Sequence, residues 1–340
     1  MSKDRRVSRR RFVHAAASAG GLLLAQGPDA VTAAPSFDQA PANAPAAAAS
    51  AGDRLRGLLA GPEVLQCPVI YDMVSLKLAA DLGFPTAFAG GSPVAASMYG
   101  MGDFGWLTMT ELIEFSTRAA EATDMLVMGD ADDGGGNPLN VYRTVQRFER
   151  GGVAAIMLED MFGAKHLPGL PEGPLTPIPG FVDKVKAAVD ARKHGMVLVA
   201  RTDALSGGES FDQAVARVAA YAEAGADVVF VAGATVRQTP TIAKATGRPV
   251  MCIVPADQPD AAFDVLRETR VKLAVYSGPI LSIAAKAVRD ALTELKQTGR
   301  IRDLQQRTLP RQDFSSVTES SSAAEVARRF NATGRPGSGC

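Results

Sequence analysis

The feature that most constrains the fold is a pattern that recurs three times: an amphipathic stretch, a glycine, and a short apolar run that ends in polar residues. The glycines are Gly83, Gly152 and Gly225. A glycine just after the last turn of a helix takes a positive φ and ends the helix, so that a strand can start one or two residues later. Gly83 and Gly152 lie 69 residues apart, and Gly152 and Gly225 lie 73 apart. Each interval has room for two helix–strand units.

Eight continuously apolar runs alternate with helical stretches such as Phe211 to Ala224. The runs lie near residues 67–71, 85–89, 125–130, 154–159, 196–202, 227–231, 249–253 and 271–276. Such runs are typical of parallel strands that are buried on both faces. No Gly-x-Gly-x-x-Gly opens a helix directly after the first run, which argues against a dinucleotide-binding fold. The pattern therefore predicts an α/β fold of the (β/α)8 TIM-barrel type.

The N-terminal residues predict an export signal rather than a part of the folded domain. Ser8-Arg9-Arg10-Arg11-Phe12-Val13 precedes an apolar run, which matches a twin-arginine export signal. We assign residues 1–33 to this signal, with cleavage after Ala33, and expect a periplasmic or extracellular protein; the alternative is a basic disordered tail. The apolar run is too short for a stable membrane anchor. Further boundaries are a disordered Ala/Pro linker at 34–52, the barrel at 53–310 and a C-terminal tail or helix at 311–340.

Charge and histidine content exclude several classes of function. Without residues 1–33 the chain holds 30 basic and 34 acidic residues, so no nucleic-acid partner is expected. The three histidines are His14, His166 and His194. His14 falls in the signal and His194 between a helix and a strand, which leaves His166 as the one histidine placed for chemistry. A zinc site with several histidines or a Ser-His-Asp triad is therefore disfavoured. Cys67 and Cys252 lie at apolar runs and are predicted to be buried thiols.

Polar residues stand where the predicted strands end. They are Tyr71 after the first strand, Asp130 and Asp132 after the third, Glu159 after the fourth and Arg201 on the fifth. In (β/α)8 barrels the carboxyl ends of the strands form one mouth, where the active site lies. Carboxylates gathered there would repel each other unless a cation joins them, and Mg²⁺ prefers such oxygen ligands. The sequence predicts a divalent-metal site of Asp130, Asp132 and Glu159.

Two other interpretations stay open at these positions. Asp132 or Asp133 could instead cap the helix that begins near Pro138. Arg201 could form a structural ion pair with Glu159 or bind a substrate carboxylate with its two-pronged guanidinium.

At these residues the sequence resembles the isocitrate lyase/phosphoenolpyruvate mutase superfamily, over residues 55–297. Four motifs carry the resemblance in order: Gly100-Met101-Gly102-Asp103-Phe104-Gly105, Asp130-Ala131-Asp132-Asp133-Gly134-Gly135-Gly136-Asn137, Leu158-Glu159-Asp160 and Ala200-Arg201-Thr202-Asp203-Ala204. They are similar to the superfamily's G-L-P-D-L-G, D-A-D-T-G-Y-G-N, I-E-D and A-R-T-D-A.

The resemblance implies a Mg²⁺-dependent lyase, with Mn²⁺ as a possible substitute, that acts on a small 2-oxo or 2-hydroxy dicarboxylate through an enolate. By position, Asp130 would bind the metal, whereas Asp103, Asp132 and Glu159 would hold its waters. Arg201 would bind the substrate's carboxylate or enolate oxygen. The other substrate-binding candidates are Tyr71 and the backbone of Gly90, Gly91 and Ser92. The superfamily's exchange of a C-terminal helix between barrels implies a homodimer or homotetramer.

The departures from the superfamily limit these expectations. The segment Phe162-Gly163-Ala164-Lys165-His166-Leu167 lacks the cysteine that isocitrate lyases use as a proton donor. Lys165 or His166 could replace it, or either could be a solvated loop residue. The sixth and seventh strands are followed by apolar residues, so the pocket is expected to be apolar on that side. A phosphonate enzyme (mutase or phosphonopyruvate hydrolase type) and a non-catalytic periplasmic dicarboxylate binder remain as alternatives.

Overall fold

A computed structural model describes residues 49–330 of the chain. The predicted export signal, almost all of the predicted linker, and residues 331–340 with Cys340 lie outside the described residues.

Eight parallel strands form a closed barrel in chain order, and the last strand pairs with the first. The strands are β1 Leu65–Ile70, β2 Thr86–Ala89, β3 Leu126–Asp130, β4 Ala155–Glu159, β5 Val197–Thr202, β6 Val228–Val231, β7 Val250–Ile253 and β8 Val271–Tyr276. The predicted (β/α)8 barrel is confirmed, and every strand begins and ends within two residues of its predicted position.

The helices follow the strands in alternation. They are α1 Ala51–Ala60, α2 Met73–Asp81, α3 Gly91–Tyr99, α4 Met109–Glu121, α5 Pro138–Arg150, α6 Ile178–Ala191, α7 Phe211–Glu223, α8 Thr239–Thr246, α9 Phe263–Glu268, α10 Pro279–Thr298, α11 Leu304–Arg307, α12 Arg311–Val317 and α13 Ser320–Arg329. Gly83, Gly152 and Gly225 follow α2, α5 and α7 with φ of 80°, 75° and 110°, as the sequence pattern requires.

Side chains that alternate along the strands build two apolar layers. One set fills the barrel interior, including Phe88, Met157 and Phe230, and the other packs between the sheet and the helices, including Phe148 and Phe181. Successive side chains of a strand point to opposite faces, so a fully buried strand needs apolar residues at almost every position. Polar residues are therefore confined to the strand ends, where the barrel opens.

Helix α1 corrects the predicted start of the barrel. It begins at Ala51, inside the segment assigned to the linker, because the Ser50 side chain accepts a hydrogen bond from the Asp53 amide and caps the helix. Leu55 and Leu59 are buried in the same cluster as the barrel interior. The ordered domain thus includes the last residues of the Ala/Pro-rich segment.

The C-terminal helices are much less buried than the barrel. None of the 20 residues of α10 is buried. Helices α12 and α13 occupy the predicted C-terminal tail, where Val317 is buried and Glu319 pairs with Lys77 of α2. Among the described residues, no helix combines the length and the apolar character needed to cross a membrane.

Candidate active site

Three carboxylates meet at the carboxyl ends of β3 and β4. Asp130, Asp132 and Glu159 each bring one oxygen to a group whose atoms all lie within 4.8 Å of one another. Asp130 is the last residue of β3, and its Oδ2 accepts a hydrogen bond of 2.9 Å from the Gly91 amide. Asp132 has a φ of 40°, a left-handed conformation that short polar residues tolerate. The chain therefore turns back after β3 and places both aspartates at one site.

A lysine from the loop after β4 enters this cluster. The Lys165 Nζ lies 2.6 Å from Asp132 Oδ1, 3.0 Å from Glu159 Oε1 and 3.8 Å from Asp103 Oδ1. Only 4% of the Lys165 side chain is exposed, so its charge is fully committed to these carboxylates. Burial opposes the charged form of Lys165, but the carboxylates outweigh it and raise the lysine's pKa above its usual value.

Arg201 stands on the other side of Glu159. Its Nη1 lies 3.1 Å from Glu159 Oε2, and its Nη2 donates a 2.6 Å hydrogen bond to Asp203 Oδ1. The guanidinium carbon also lies 5.6 Å from the centre of the Phe230 ring, whose face attracts a cation. Asp203 directly follows β5, and side chains alternate along an extended chain, so residues 201 and 203 project to the same side. The structural ion pair considered for Arg201 is present.

Burial and neighbouring charges set unequal proton affinities in the cluster. Burial, with the nearby Asp130 charge, raises the pKa of Asp132 to about 7. Burial also raises the pKa of Asp130, although Lys165 opposes it. Burial disfavours ionised Glu159 too, but Arg201 and Lys165 outweigh that effect and lower its pKa. Glu159 is therefore the firmly ionised member, and the two aspartates resist ionisation until a further cation is present.

The donor set fits a hard divalent cation. All the acceptors are carboxylate oxygens, which Mg²⁺ and Mn²⁺ prefer. Among the described residues, Glu159 Oε2 and Asp203 Oδ2 are buried without a well-aligned hydrogen-bond partner, although Arg201 lies within ion-pair distance of the first. Buried acceptors without partners are costly, so they fit a site that binds another cation or donor. Asp130, Asp132 and Glu159 are the residues that would hold the metal.

The remaining predicted site residues divide into two groups. Asp103 lies beside Lys165, and Gly91 contacts Asp130, so both belong to the site. The Gly91 amide donates to Asp130 and is therefore not free to bind a ligand. Gly90 is the N-cap residue of α3, where no side-chain hydrogen bond is made. Ser92, in the first turn of α3, is exposed.

Tyr71 and His166 are not brought to the carboxylate cluster. Tyr71 lines a separate cavity beside Met98 and Tyr99. The His166 Nδ1 lies 3.1 Å from Glu172 Oε1, and its side chain is 38% exposed. A positive φ of 56° at His166 turns the chain there, so that Lys165 points inward. Of the two acid–base candidates, the structure therefore brings only Lys165 to the carboxylates.

The helix-capping alternative is wrong for both aspartates. Asn137 caps α5, with its side chain accepting from the amides of Leu139 and Asn140. The Asp133 carboxylate instead accepts from the Gly135 amide and lies 3.2 Å from Lys184 Nζ.

Asp160 directly follows Glu159 in the chain, but its side chain points away from the carboxylate cluster. Its Oδ2 accepts hydrogen bonds of 2.7 Å from both Thr202 Oγ1 and Tyr221 Oη, and 3.3 Å from Arg217 Nη1. Its Oδ1 accepts from the Asp203 amide at 3.0 Å. Alternation along the chain sends neighbouring carboxylates to opposite sides. Asp160 thus fixes the turn from which Asp203 holds Arg201.

No role is predicted from the sequence for Asp203, Arg217 or Tyr221. Asp203 could have been found from its i, i+2 spacing to Arg201, which places both side chains on one side of an extended chain. Arg217 and Tyr221 share a helix face at i, i+4, but their target lies more than 50 residues earlier in the chain. No local signal identifies such a distant partner.

These features define a (β/α)8-barrel enzyme whose active site combines an oxygen-donor site for a divalent cation with a buried arginine. The sequence profile of the phosphoenolpyruvate phosphomutase family matches residues 55–296. The chain belongs to this family, within the isocitrate lyase/phosphoenolpyruvate mutase superfamily.

Relatives of known function catalyse several different reactions. The chain is 37% identical over 251 residues to an oxaloacetate decarboxylase of Rhodopseudomonas palustris (strain BisB5), which covers 71% of this chain and 83% of that protein. It is 25% identical to an oxaloacetate acetylhydrolase solved with 3,3-difluorooxalacetate, with a TM-score of 0.75 over 83% of this chain and 97% of the other. A phosphonopyruvate hydrolase solved with oxalate and Mg²⁺ is 26% identical, with a TM-score of 0.73 over 83% and 99%.

Proposed function

We propose that the chain is a Mg²⁺-dependent carbon–carbon lyase that decarboxylates or cleaves a small 2-oxo or 2-hydroxy dicarboxylate, with oxaloacetate as the reference substrate. The observation that carries the proposal is the placement of Arg201 beside the cluster of three carboxylates, with 3.1 Å between Arg201 Nη1 and Glu159 Oε2. A cation site and a guanidinium side by side can stabilise the enolate oxygen on which negative charge develops. The similarity to oxaloacetate decarboxylases supports this reaction class.

With oxaloacetate, the bond between C3 and the C4 carboxylate breaks, and its electron pair forms the enolate of pyruvate as carbon dioxide leaves. A bound divalent cation would supply Lewis-acid stabilisation of the 2-oxo group. Arg201 binds the C1 carboxylate or the enolate oxygen with a guanidinium that stays charged, since neighbouring acids raise its pKa despite the burial that opposes it. The Lys165 ammonium then donates a proton to C3, and the raised pKa of the lysine still permits this because an enolate carbon is a strong base. Solvent water reprotonates the lysine.

The first test is turnover by the full-length protein with Mg²⁺ and four compounds: oxaloacetate, methylisocitrate, 2,3-dimethylmalate and phosphonopyruvate. Product analysis by NMR identifies the bond that is broken. We expect Lys165→Ala to lower kcat by about 10²- to 10⁴-fold, as for the loss of a general acid. The exposed Lys186→Ala is the matched control and should leave kcat unchanged. Wild-type kcat in Lys165→Ala would remove the lysine from the mechanism.

The second test measures metal binding without turnover. Calorimetry with Mg²⁺ or Mn²⁺ in the presence of oxalate should show binding to the wild-type protein and to Asp183→Ala, an exposed-carboxylate control. Asp130→Ala should abolish it, because the site loses a buried ligand. Equal binding by Asp130→Ala would refute the metal assignment. Metal-dependent oxalate binding with no turnover of any compound would favour the non-catalytic binder.

Phosphonate chemistry is the second candidate. The similarity to a phosphonopyruvate hydrolase with a comparable TM-score supports it. The phosphonopyruvate assay separates the candidates, because release of phosphate or formation of phosphoenolpyruvate with no oxaloacetate turnover would replace the lyase proposal.

We also propose that the protein forms a homodimer or homotetramer through α10. The helix carries exposed Ile283, Val288, Leu292 and Leu295 on one half of its circumference. An unpartnered apolar helix face of this kind favours exchange with a neighbouring barrel. Light scattering should give a dimer or tetramer mass, and Val288→Glu with Leu292→Glu should lower it. A monomeric wild-type protein would refute this proposal.

Export by the twin-arginine route is a separate proposal that rests on residues 8–13. Arg9→Lys with Arg10→Lys should leave the protein in the cytoplasmic fraction, whereas the native sequence should deliver it across the membrane. Unchanged localisation would remove the assignment.

A further inference from the structure

A cavity of about 420 Å³ opens at the amino-terminal end of the barrel, opposite to the active site. It lies between the turn that joins α1 to β1, the end of α8 and the segment that joins α9 to β8. Four of its lining residues are basic: Arg248, Arg267, Arg270 and Lys272. Among the described residues, no aspartate or glutamate lines it. The cavity thus concentrates positive charge in a chain that, without residues 1–33, holds more acidic than basic residues.

The positive charge of this cavity is not neutralised by neighbouring acids. In the described part of the chain, the four basic side chains form a single ion pair, with 3.6 Å between Arg267 Nη2 and Glu63 Oε2. Both of these side chains are more than half exposed, so the pair is weak. Lys272 donates to the carbonyl oxygens of Gly61 and Glu63, which carry no net charge, and burial lowers the pKa of the lysine although the Glu63 charge opposes it. A bound anion would therefore gain from all four cations.

The backbone at Arg270 is the second observation that points to a ligand. Arg270 lies between α9 and β8 with a φ of 57°, a left-handed conformation in which glycine is the favoured residue. Basic residues near helix ends commonly bind the last carbonyl groups, and Arg248 does so, with its Nη2 donating to the carbonyl oxygen of Ala222 in the last turn of α7. The Arg270 side chain forms no hydrogen bond or ion pair with any described residue. The fold itself thus gives no reason for an arginine at this strained position, whereas a ligand in the cavity does.

We propose that this cavity is a second binding site, which takes a small molecule bearing phosphate groups. Guanidinium groups bind phosphate oxygens with paired hydrogen bonds. A phosphate monoester carries about −1.5 to −2 charges at pH 7 and three acceptor oxygens, whereas a carboxylate carries a single charge. Four cations gathered around one cavity therefore match a phosphate group better than a carboxylate. The site is separate from the active site and does not depend on the lyase function.

The test is a calorimetric titration of the full-length protein with pyrophosphate. EDTA is present, so that no divalent cation can link the probe to the carboxylates of the active site. We expect one site per chain, and binding that weakens as NaCl is added, because salt screens exposed charges. Citrate should bind more weakly, because its charge is spread over separate carboxylates. The thermal midpoint should rise with pyrophosphate concentration, as for any ligand that binds only the folded state.

Two substitutions remove a cation without disturbing the fold. Arg270→Gly suits the left-handed backbone and should lower pyrophosphate affinity about tenfold or more, as for the loss of a charged hydrogen bond. Arg267→Gln, at an exposed position on α9, should lower it in the same direction. Arg143→Gln, at an exposed position on α5, is the matched charge control and should leave it unchanged. Asp130→Ala should also bind pyrophosphate as the wild-type protein does, because the active site is not involved.

Several results would overturn the proposal. One is the absence of saturable pyrophosphate binding, and another is wild-type affinity in both Arg270→Gly and Arg267→Gln. Loss of binding in Asp130→Ala but not in the two arginine variants would place the probe in the active site instead. Tighter binding of citrate than of pyrophosphate would contradict the phosphate class. If Arg270→Gly changes the mass in light scattering and the wild-type protein does not bind pyrophosphate, the cavity is an interface between copies and the proposal is wrong.

Discussion

Replacement of Asp160 by asparagine tests whether the network behind the active site stabilises the barrel. The carboxylate is fully buried and accepts hydrogen bonds from four groups: Thr202, Tyr221, Arg217 and the Asp203 amide. An amide has nearly the same shape, but one of its two ends is a donor. In either orientation, that end must face a group that also donates.

Of the two orientations of the asparagine amide, the more stable one loses fewer hydrogen bonds. If the asparagine oxygen faces Thr202, Tyr221 and Arg217, its NH₂ faces the Asp203 N–H, whose present distance to the carboxylate is 3.0 Å. One buried donor then loses its partner, at about 1–3 kcal/mol. The other three bonds lose the strengthening of a charged acceptor, and Arg217 keeps only Glu209 as its ion partner. We expect a total loss of about 3–5 kcal/mol, as for other broken buried ion pairs.

The assay is urea unfolding followed by far-UV circular dichroism, with a thermal midpoint as the second measurement. A loss of about 4 kcal/mol should lower the midpoint by roughly 8 °C in a domain of this size. Asp212→Asn, an exposed carboxylate on α7, is the matched control and should change stability by less than about 0.5 kcal/mol. A loss below about 1 kcal/mol for Asp160→Asn, with an unchanged denaturant slope, would refute the reasoning.

Three further outcomes follow from close contacts and burial. A Cβ at Gly129 would lie 2.7 Å from the Phe148 ring, so Gly129→Ala should lower the free energy of unfolding in urea by about 1–3 kcal/mol. Adding Phe148→Leu should recover part of this loss. If the losses from the two substitutions simply add in the double variant, the clash is contradicted. A Cβ at Gly91 would lie 3.2 Å from Asp130 Oδ2, so Gly91→Ala should weaken Mg²⁺ binding measured by calorimetry. The thermal midpoint should fall by no more than about 3 °C. Unchanged Mg²⁺ affinity would contradict this prediction. Burial raises the pKa of Cys67 to about 12, so at pH 8 only about one thiol in ten thousand is ionised, and peptide mapping should find it unmodified by maleimide until urea is added. Rapid labelling of the folded protein would contradict this.

The fold could be predicted closely because parallel barrel strands leave a strong signal. Strands such as Ala155–Glu159 are buried along their whole length and so must be continuously apolar. Their ends are marked because polar side chains are tolerated only where the barrel opens. The start of β1 at Leu65, ahead of the predicted position, shows the limit: Gln66 interrupts the apolar run, yet the strand continues through it.

The carboxylate cluster could also be predicted, since Asp130 and Glu159 are strand-end residues and the topology alone brings strand ends together. The acid–base side could not. Lys165 and His166 are adjacent in a long loop, and the turn at His166 decides which of them points inward. No periodicity exists in such a loop, so the sequence left both residues as candidates.

The hydrogen-bond network around Asp160, behind the carboxylate cluster, could not be predicted either. Asp160 and Glu159 are adjacent acidic residues at the end of β4, but the alternation of side chains gives them opposite environments. Its partners on α7 belong to a helix whose position is known only once the barrel has closed.

The Glu159-Asp160 pair also has a consequence for folding fidelity. The first carboxylate sits beside Lys165 and Arg201, and the second sits beside Thr202 and Tyr221. A one-residue slip of β4 would exchange their environments, leaving a glutamate too long for the packed helix layer and an aspartate too short to reach both cations. Each wrong register therefore leaves a buried carboxylate without its partners, which makes misaligned barrels far less stable than the native one. The difference of one methylene between these two neighbouring acids therefore favours the native register of β4.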